Sequence, residues 1–403
     1  MLEFDAGLDF NLAHDPDFFP LLPAAPAVCL IESHLENAEP YLIRTGDLRR
    51  RLQRLLGPAD PASKRLNLRE FARAIRYRIV GSAFEQNLLY YQQARKIFPQ
   101  KYQKLMRFRP PAVLKVSLRN AYPRCFVTRR IAVDEQGLPS GGEYYGPFAS
   151  RKSAEAYAER VLEFFKVRRC QIKIRRDPQF PGCIYSEMKM CLAPCFAGCT
   201  KEEYDAEVQR LVAFLSTTGG SLRRTYEQER EKASADLDFE KAAAIHKKLE
   251  KLDDALRSHS ELARRVQDVD AVILQRTTEE HTVGMYAVRG GRLSNPSYLR
   301  FGDTSEPKSA EEAARDYLQG VMNAEVSPAS SARQSAQELA EHLWLLSRWF
   351  YSHPREGEIF FREKDWPYRR ILRACSRLLA PPKKEEAPAT ESAPQKTESE
   401  EAK

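Results

Sequence analysis

The chain has 403 residues, of which 42% are hydrophobic and 30% charged, with a formal net charge of +8. At about 100 to 200 residues per domain, this length predicts two to four domains with ample apolar side chain for packed cores, which excludes wholesale disorder. The longest apolar run, Phe18 to Ile31, contains Pro20, Pro23 and Pro26 and is shorter than the roughly 20 residues a membrane helix needs, so no membrane partner is expected.

The opening MLEFDAGLDF is acidic and lacks the basic start and small-residue cleavage site of a secretory signal, which makes a cytoplasmic location the expectation. Residues 1–43 hold eight acids and no Lys or Arg. Ala27 to Ile31 and Tyr41 to Ile43 read as strands separated by the turn-prone stretch His34 to Pro40. Asp47 is placed to cap a helix with Leu48, Leu52 and Leu55 on one face, Arg50 and Arg54 pointing away and Arg51 on the flank. Helices over 67–79 and 83–97 follow, then strands over 112–118 and 124–131, which together make a small α/β domain.

Residues 101–130 reverse the charge. Lys101, Lys104, Arg107, Arg109, Lys115, Arg119, Arg124, Arg129 and Arg130 occur there with no acid, and Tyr102, Phe108, Tyr122 and Phe126 are interleaved. Such a stretch offers phosphate-neutralising charge and aromatic faces for unpaired bases. A solvated basic surface over core aromatics is the plainer alternative.

From Tyr144 the sequence YYGPF runs into an amphipathic helix carrying Ala154, Tyr157, Ala158, Val161, Leu162 and Phe165 at helical spacing. Beyond a cysteine-rich segment at 170–199, residues 201–215 and 221–264 are strongly helical around a Gly219-Gly220 break, with 221–235 and 238–257 pairing as an antiparallel hairpin. Its stripe of Ala243, Leu249, Leu252 and Leu256 can bury itself within the hairpin or against a partner helix. Strand signals return at 269–275, 282–288 and 297–301 around the turn Arg289 to Arg292, and helices are expected over 310–323 and 332–352. The Pro-, Ala-, Glu- and Lys-rich stretch 381–403 has almost no bulky apolar residue and reads as a disordered tail.

Eight cysteines, five of them clustered within 170–199, in a chain read as cytoplasmic favour metal over disulfides. Cys170, Cys183, Cys191 and Cys195 are spaced C-x12-C-x7-C-x3-C, with Cys199 a spare, and four thiolates suit either an iron-sulfur cubane or a tetrahedral zinc. Lys166, Arg168, Arg169, Lys173, Arg175 and Arg176 flank the first of them and would offset thiolate charge or contact DNA. There is no P-loop, no H-E-x-x-H and no G-x-S-x-G.

Taken in order, YYGPF at 144–148, the four cysteines with CLAPC at 191–195, DFEKAA at 238–243 and VRGGRL at 288–293 resemble the UvrC family of the ABC excinuclease, the incision component of bacterial nucleotide excision repair, over about residues 20–302. The resemblance implies a GIY-YIG-like nuclease domain over 1–110, a basic β/α segment over 111–169, and a cluster segment over 170–200. It further implies a helical region with a UVR hairpin over 201–265 and a small α+β region over 266–380. It favours a [4Fe-4S] cluster at Cys170, Cys183, Cys191 and Cys195, with zinc as the runner-up. It makes DNA a partner, and a UvrB-like protein a second one through Phe239, Glu240, Ala242 and Ala243 of the hairpin.

The nuclease motif is broken in this chain. The family's first motif Tyr aligns with Cys29, its second with Tyr41 and the closing Gly with Ile43, while Arg44 stands for the usual Lys and Arg51 matches the phosphate-facing Arg. The metal-holding Glu falls at Tyr90 or, with a one-residue gap, Tyr91, and neither replaces a carboxylate for magnesium. Glu85, five residues before Tyr90, is about 140° away around a helix. Tyr41 and Arg51 are therefore expected as catalytic remnants, and Arg44, Arg50, Arg54, Lys101, Lys104, Arg107, Arg109, Arg129 and Arg130 as DNA-facing residues. The family's second, RNase H-like nuclease has no Asp-Ile-Ser-His-like motif here. The expectation is a non-cutting relative. The alternatives are a single-incision endonuclease, which would need Mg2+, and an iron-sulfur nucleic-acid-binding scaffold outside repair.

Overall fold

A computed structural model describes residues 3–11, 15–58, 62, 64–257, 259–302, 309–324 and 331–380. The expected tail at 381–403 lies outside the described residues. Three antiparallel sheets and their helices form the molecule, a mixed α/β class with a long helical segment.

The first sheet has the order β1-β4-β2-β3 and is built from β1 (Ala6–Asp9), β2 (Ala27–Ser33), β3 (Tyr41–Thr45) and β4 (Ala72–Ile79). On one face lie α1 (Asp15–Leu21) and α2 (Leu48–Leu56), whose Leu48, Leu52, Leu55 and Leu56 meet Cys29, Ile31, Ile43, Ile75 and Tyr77. Asp47 caps α2 as its sequence promised, accepting the Arg50 N–H at 2.9 Å. On the other face lies α3 (Ala83–Ile97), capped by Ser82, and then the short α4 (Tyr102–Leu105).

The helix expected over 67–79 is instead the interior strand β4. Leu68, Phe71, Ala72 and Ile75 fit a helical spacing, but the alternation Ile75, Tyr77, Ile79 against Arg76 and Arg78 is the period that folds. β4 is held on both sides, to β1 (Ala6 opposite Tyr77) and to β2 (Cys29 opposite Tyr77). Neither β1 nor α1 was marked by periodicity.

The second sheet, ordered β6-β5-β7-β8, joins β5 (Ala112–Val116), β6 (Cys125–Thr128), β7 (Glu143–Phe148) and β8 (Arg264–Arg265). Packed on it are α5 (Arg151–Leu162) and α7 (Lys201–Ser216), with α6 (Ile184–Glu187) lying in the cysteine segment between them. The hairpin α8 (Gly220–Ala235) and α9 (Phe239–Arg257) joins the same core through Leu222 and Leu252. Helix stops at Arg257, short of the expected 264, because the chain then turns to pair β8 with β7.

The third sheet contains β9 (Ala271–Arg276), β10 (Thr282–Arg289), β11 (Arg292–Leu293), β12 (Ser297–Arg300) and, beyond the expected strands, β13 (Glu358–Phe361). One face packs on α10 (Ala310–Asn323) and α12 (Tyr368–Leu379). The other meets α3 and α11 (Ala332–Phe350). α11 also sends Leu339 and Leu343 against Val113 and Tyr144 of the second sheet, so one helix touches all three layers. Gly291 is required at the turn of the third sheet, since its φ is +79° and a Cβ there would stand 2.8 Å from Leu343. Among the described residues no helix is long and apolar enough to cross a membrane.

Candidate functional site

The residues expected at the nuclease motif are divided by the first sheet. Cys29 and Ile43 sit directly opposite each other in the β2–β3 ladder and are both buried against α2. Burial drives the Cys29 thiol far above its ordinary pKa, so it is an inert core group. Tyr41 is half-buried beside the same core. Arg51 is half-buried on α2, and Arg50 and Arg54 are exposed there.

Arg44 points to the opposite face, toward α3. It donates to Asn87 Oδ1 and lies over the Tyr90 ring, 5.2 Å from its centroid, a contact of about 0.5–2 kcal/mol. Burial first, then the guanidinium of Arg348, disfavours the Arg44 charge. The Tyr90 position is thus filled by an aromatic that supports a cation. Tyr91 turns away, donating to the buried Glu341 at 2.8 Å across 250 residues of chain. Glu85 is 3% exposed and accepts from the Gly81 N–H at 3.0 Å and from the Tyr298 hydroxyl at 3.3 Å, so its carboxylate is engaged in packing α3 against β12. Neither Asn87 nor Arg348 was marked by the sequence, because their roles depend on contacts across the fold.

The basic segment is dispersed over several surfaces. Lys101 is paired with Glu39 at 2.7 Å, which joins the acidic N-terminal stretch to the first basic residue. Lys104, Arg107 and Arg130 are exposed, Arg129 is exposed and donates to the Pro110 carbonyl at 3.1 Å, and Arg109 is exposed nearby. Lys115 is spent on the Tyr144 hydroxyl at 2.8 Å, and Arg124 lies over Phe126. Tyr102 is a core residue, whereas Phe108 packs edge-on against Trp344.

Cys170, Cys183, Cys191 and Cys195 lie in one wound loop, with Lys189, Ala193 and Ala197 in the left-handed region. Burial above all pushes the Cys191 thiol up to about 11; the Ala193 N–H opposes this, and the thiols of Cys170, Cys195 and Cys183 add to it. The Ala193 N–H reaches Cys191 Sγ at 3.3 Å. Arg168, 6% exposed, holds Tyr122 O at 2.9 Å and Ile172 O at 2.9 Å with Nη1 3.7 Å from Cys170 Sγ, tying the loop to the second sheet. The donor chemistry, four thiols with an N–H and a guanidinium directed at sulfur, fits a thiolate-held metal group. Among the described residues, no three His, Cys, Asp or Glu side chains are drawn together as a ligand set.

At the hairpin tip, Asp238 caps α9 through the Lys241 N–H at 3.0 Å. Phe239 is 67% exposed and Leu237, held at φ +58°, is 72% exposed. Glu240 and Ala243 are exposed and Ala242 half-buried. The lower stripe behaves differently, since Leu249 and Leu252 are buried and Leu256 is half-buried.

Family models match two adjoining parts of the chain: the UvrC/Cho excinuclease middle domain over residues 112–214 and the UvrB/uvrC motif over 220–255. Over these segments the chain is similar to UvrC proteins. The matched segments are the second sheet with its cysteine loop, and the hairpin. Similar curated proteins include UvrABC system protein C of Chlamydia caviae, 27% identical over 72% of this chain and 47% of that protein. Those of Chlamydia abortus (26%, covering 77% and 51%) and Acetivibrio thermocellus (24%, covering 61% and 39%) are also similar. The chain thus spans about half the length, or less, of these relatives. No solved structure matches it.

Proposed function

We propose that this protein binds DNA and a UvrB-like protein in nucleotide excision repair without cutting. The observation that carries the reading is the Arg44–Tyr90 pair. Hydrolysis of a phosphodiester needs an activated water, a cation on the developing charge and usually a carboxylate-held divalent ion. Arg44 supplies the cation, but the neighbouring position holds a phenol. Cys29 and Ile43 fill core space instead of shaping a reaction centre, which supports the same reading.

Binding survives this loss in principle, because phosphate recognition needs only positioned cations. Arg44, Arg51 and the exposed Lys104, Arg107, Arg109 and Arg130 are the groups assigned to it. Phe239, with Glu240, Ala242 and Ala243 beside it, is assigned to the UvrB-like partner: a large apolar side chain left in water at a hairpin tip fits capture by another protein. Cys170, Cys183, Cys191 and Cys195 are assigned to a [4Fe-4S] cluster, zinc being the second choice. When bound, such a group would cross-link the loop, and Arg168 would offset its charge.

The competing reading is a single-incision endonuclease, favoured by the retained Tyr41 and Arg51. Retention on lesion-containing duplex preloaded with UvrB tests the pathway itself. The wild-type protein should be retained, with Phe239→Ala retained less. Equal loss of wild type and variant in the wash would remove the docking assignment.

A further inference from the structure

Where α11 crosses the second sheet it encloses a cleft of about 310 Å³. Its walls include Arg109, Arg129, Arg151, Arg348, Trp344 and Tyr351, and among the described residues no carboxylate lines it. Arg151 is paired with Glu155 at 2.7 Å, and Arg129 gives one N–H to Pro110. Among the described residues Arg109, Arg129 and Arg348 have no ion-pair partner. All three are exposed around the cleft, and three guanidinium groups free of an ion-pair partner attract a phosphate anion and can donate charge-assisted hydrogen bonds to it. Arg348 is aimed by the Trp344 ring, whose centroid lies 5.7 Å from it, and Trp344 is in turn braced by Phe108. Tyr351 is fixed by its bond to the Pro147 carbonyl at 3.0 Å.

The cleft does not stand alone. Arg348 also acts on Arg44: after burial, its guanidinium is what disfavours the Arg44 charge. Arg151 also lines a second cleft of about 550 Å³ beside the cysteine loop, together with Arg124, Arg169 and Tyr185 and with Glu155 and Glu159. Arginines lining two clefts that share Arg151 suit a polymer of phosphates better than a single anion. A volume of about 310 Å³ is at the lower end for a small-molecule site, room for about one nucleotide unit and too narrow for a duplex.

We propose that this cleft receives the phosphodiester backbone of a single DNA strand, gripped by Arg109, Arg129 and Arg348. The assignment rests on the DNA-binding reading above and adds the place and the strandedness. α11 thereby does more than cover the first domain: it completes a path for an unpaired strand.

The test is the binding of a short fluorescent single-stranded oligonucleotide by the full chain across a salt series. Arg348→Ala, Arg109→Ala and their combination are compared with Lys104→Ala/Arg107→Ala, with thermal unfolding monitored for each. Each cleft arginine removed should lower the log–log salt slope by about 0.7 and weaken the single strand several-fold more than a duplex of the same length. Cleft variants that keep the wild-type slope while Lys104→Ala/Arg107→Ala loses it would overturn the cleft and leave DNA binding intact. Wild type that binds neither form of DNA would overturn the underlying reading as well. Displacement of the strand by inorganic phosphate or poly-glutamate at equal anion concentration would replace the proposal with a general anion site.

Discussion

Removing the Glu341 carboxylate should loosen the seam that holds α3 against α11. Glu341 is 2% exposed and accepts from Tyr91 Oη at 2.8 Å, Tyr102 Oη at 2.6 Å, Gln103 Nε2 at 2.7 Å and Gln337 Nε2 at 3.1 Å. Glu341→Ala takes the acceptor from two buried phenols, each left at a cost of about 1–3 kcal/mol, and opens a small void. The sum is a destabilisation of about 3–5 kcal/mol, in the range for breaking a buried polar network. Glu341→Gln keeps one oxygen but presents an amide to the remaining donors, so about half of that loss is expected. A double-mutant cycle with Tyr91→Phe should give a coupling of about 1–2 kcal/mol. Urea unfolding at unchanged m-value measures all three. Stability of Glu341→Ala within about 0.5 kcal/mol of wild type would refute the idea that this carboxylate organises the seam.

Phe239→Ala should leave stability within about 0.5 kcal/mol, because its side chain is exposed at the hairpin tip, while weakening UvrB capture in a pull-down at least tenfold. Cys191→Ser in anaerobically purified protein should lose bound iron and sulfide, read by elemental analysis; a wild type with neither iron nor zinc would end the metal assignment. His342 and His259 are both held neutral, mainly by burial, with pKa lowered from 6.5 to about 4. The unfolded chain takes up these protons as pH falls through about 6.5 and the folded chain resists until about 4. Their contribution to stability is therefore intact above pH 6.5 and is lost toward pH 4, about 2 kcal/mol for each imidazole between pH 7 and pH 5. His259, whose ring nitrogens have no hydrogen-bond partner among the described residues, gives the cleaner check: in urea titrations at the two pH values, His259→Phe should remove its share of the drop.

Local pattern carried the elements whose chemistry is local. The α2 cap at Asp47, the α8–α9 hairpin and the short apolar strands of the third sheet were legible because each depends on pattern within one segment. β4 was not, since Leu68, Phe71, Ala72 and Ile75 imitate a helix and only pairing with β1 and β2 selects the strand. The four cysteines could be picked out by spacing, yet the arginine that ties their loop to a sheet, Arg168, was only one of six flanking cations until its carbonyl partners were in view. Arg44 was marked as a basic residue after a broken motif. That it meets Asn87, Tyr90 and Arg348 follows from packing between a strand, a helix and another helix some 300 residues later, which no window of sequence contains.

The central claim is that this protein binds without cutting, and incision tests it most directly. Lesion-containing duplex preloaded with UvrB is incubated with anaerobically purified protein and magnesium or manganese, alongside Arg51→Ala and Tyr41→Phe. No nicking by protein that stays bound to the complex is the predicted result. Nicking by wild type that Arg51→Ala abolishes would contradict it and establish an enzyme whose metal is held by other residues.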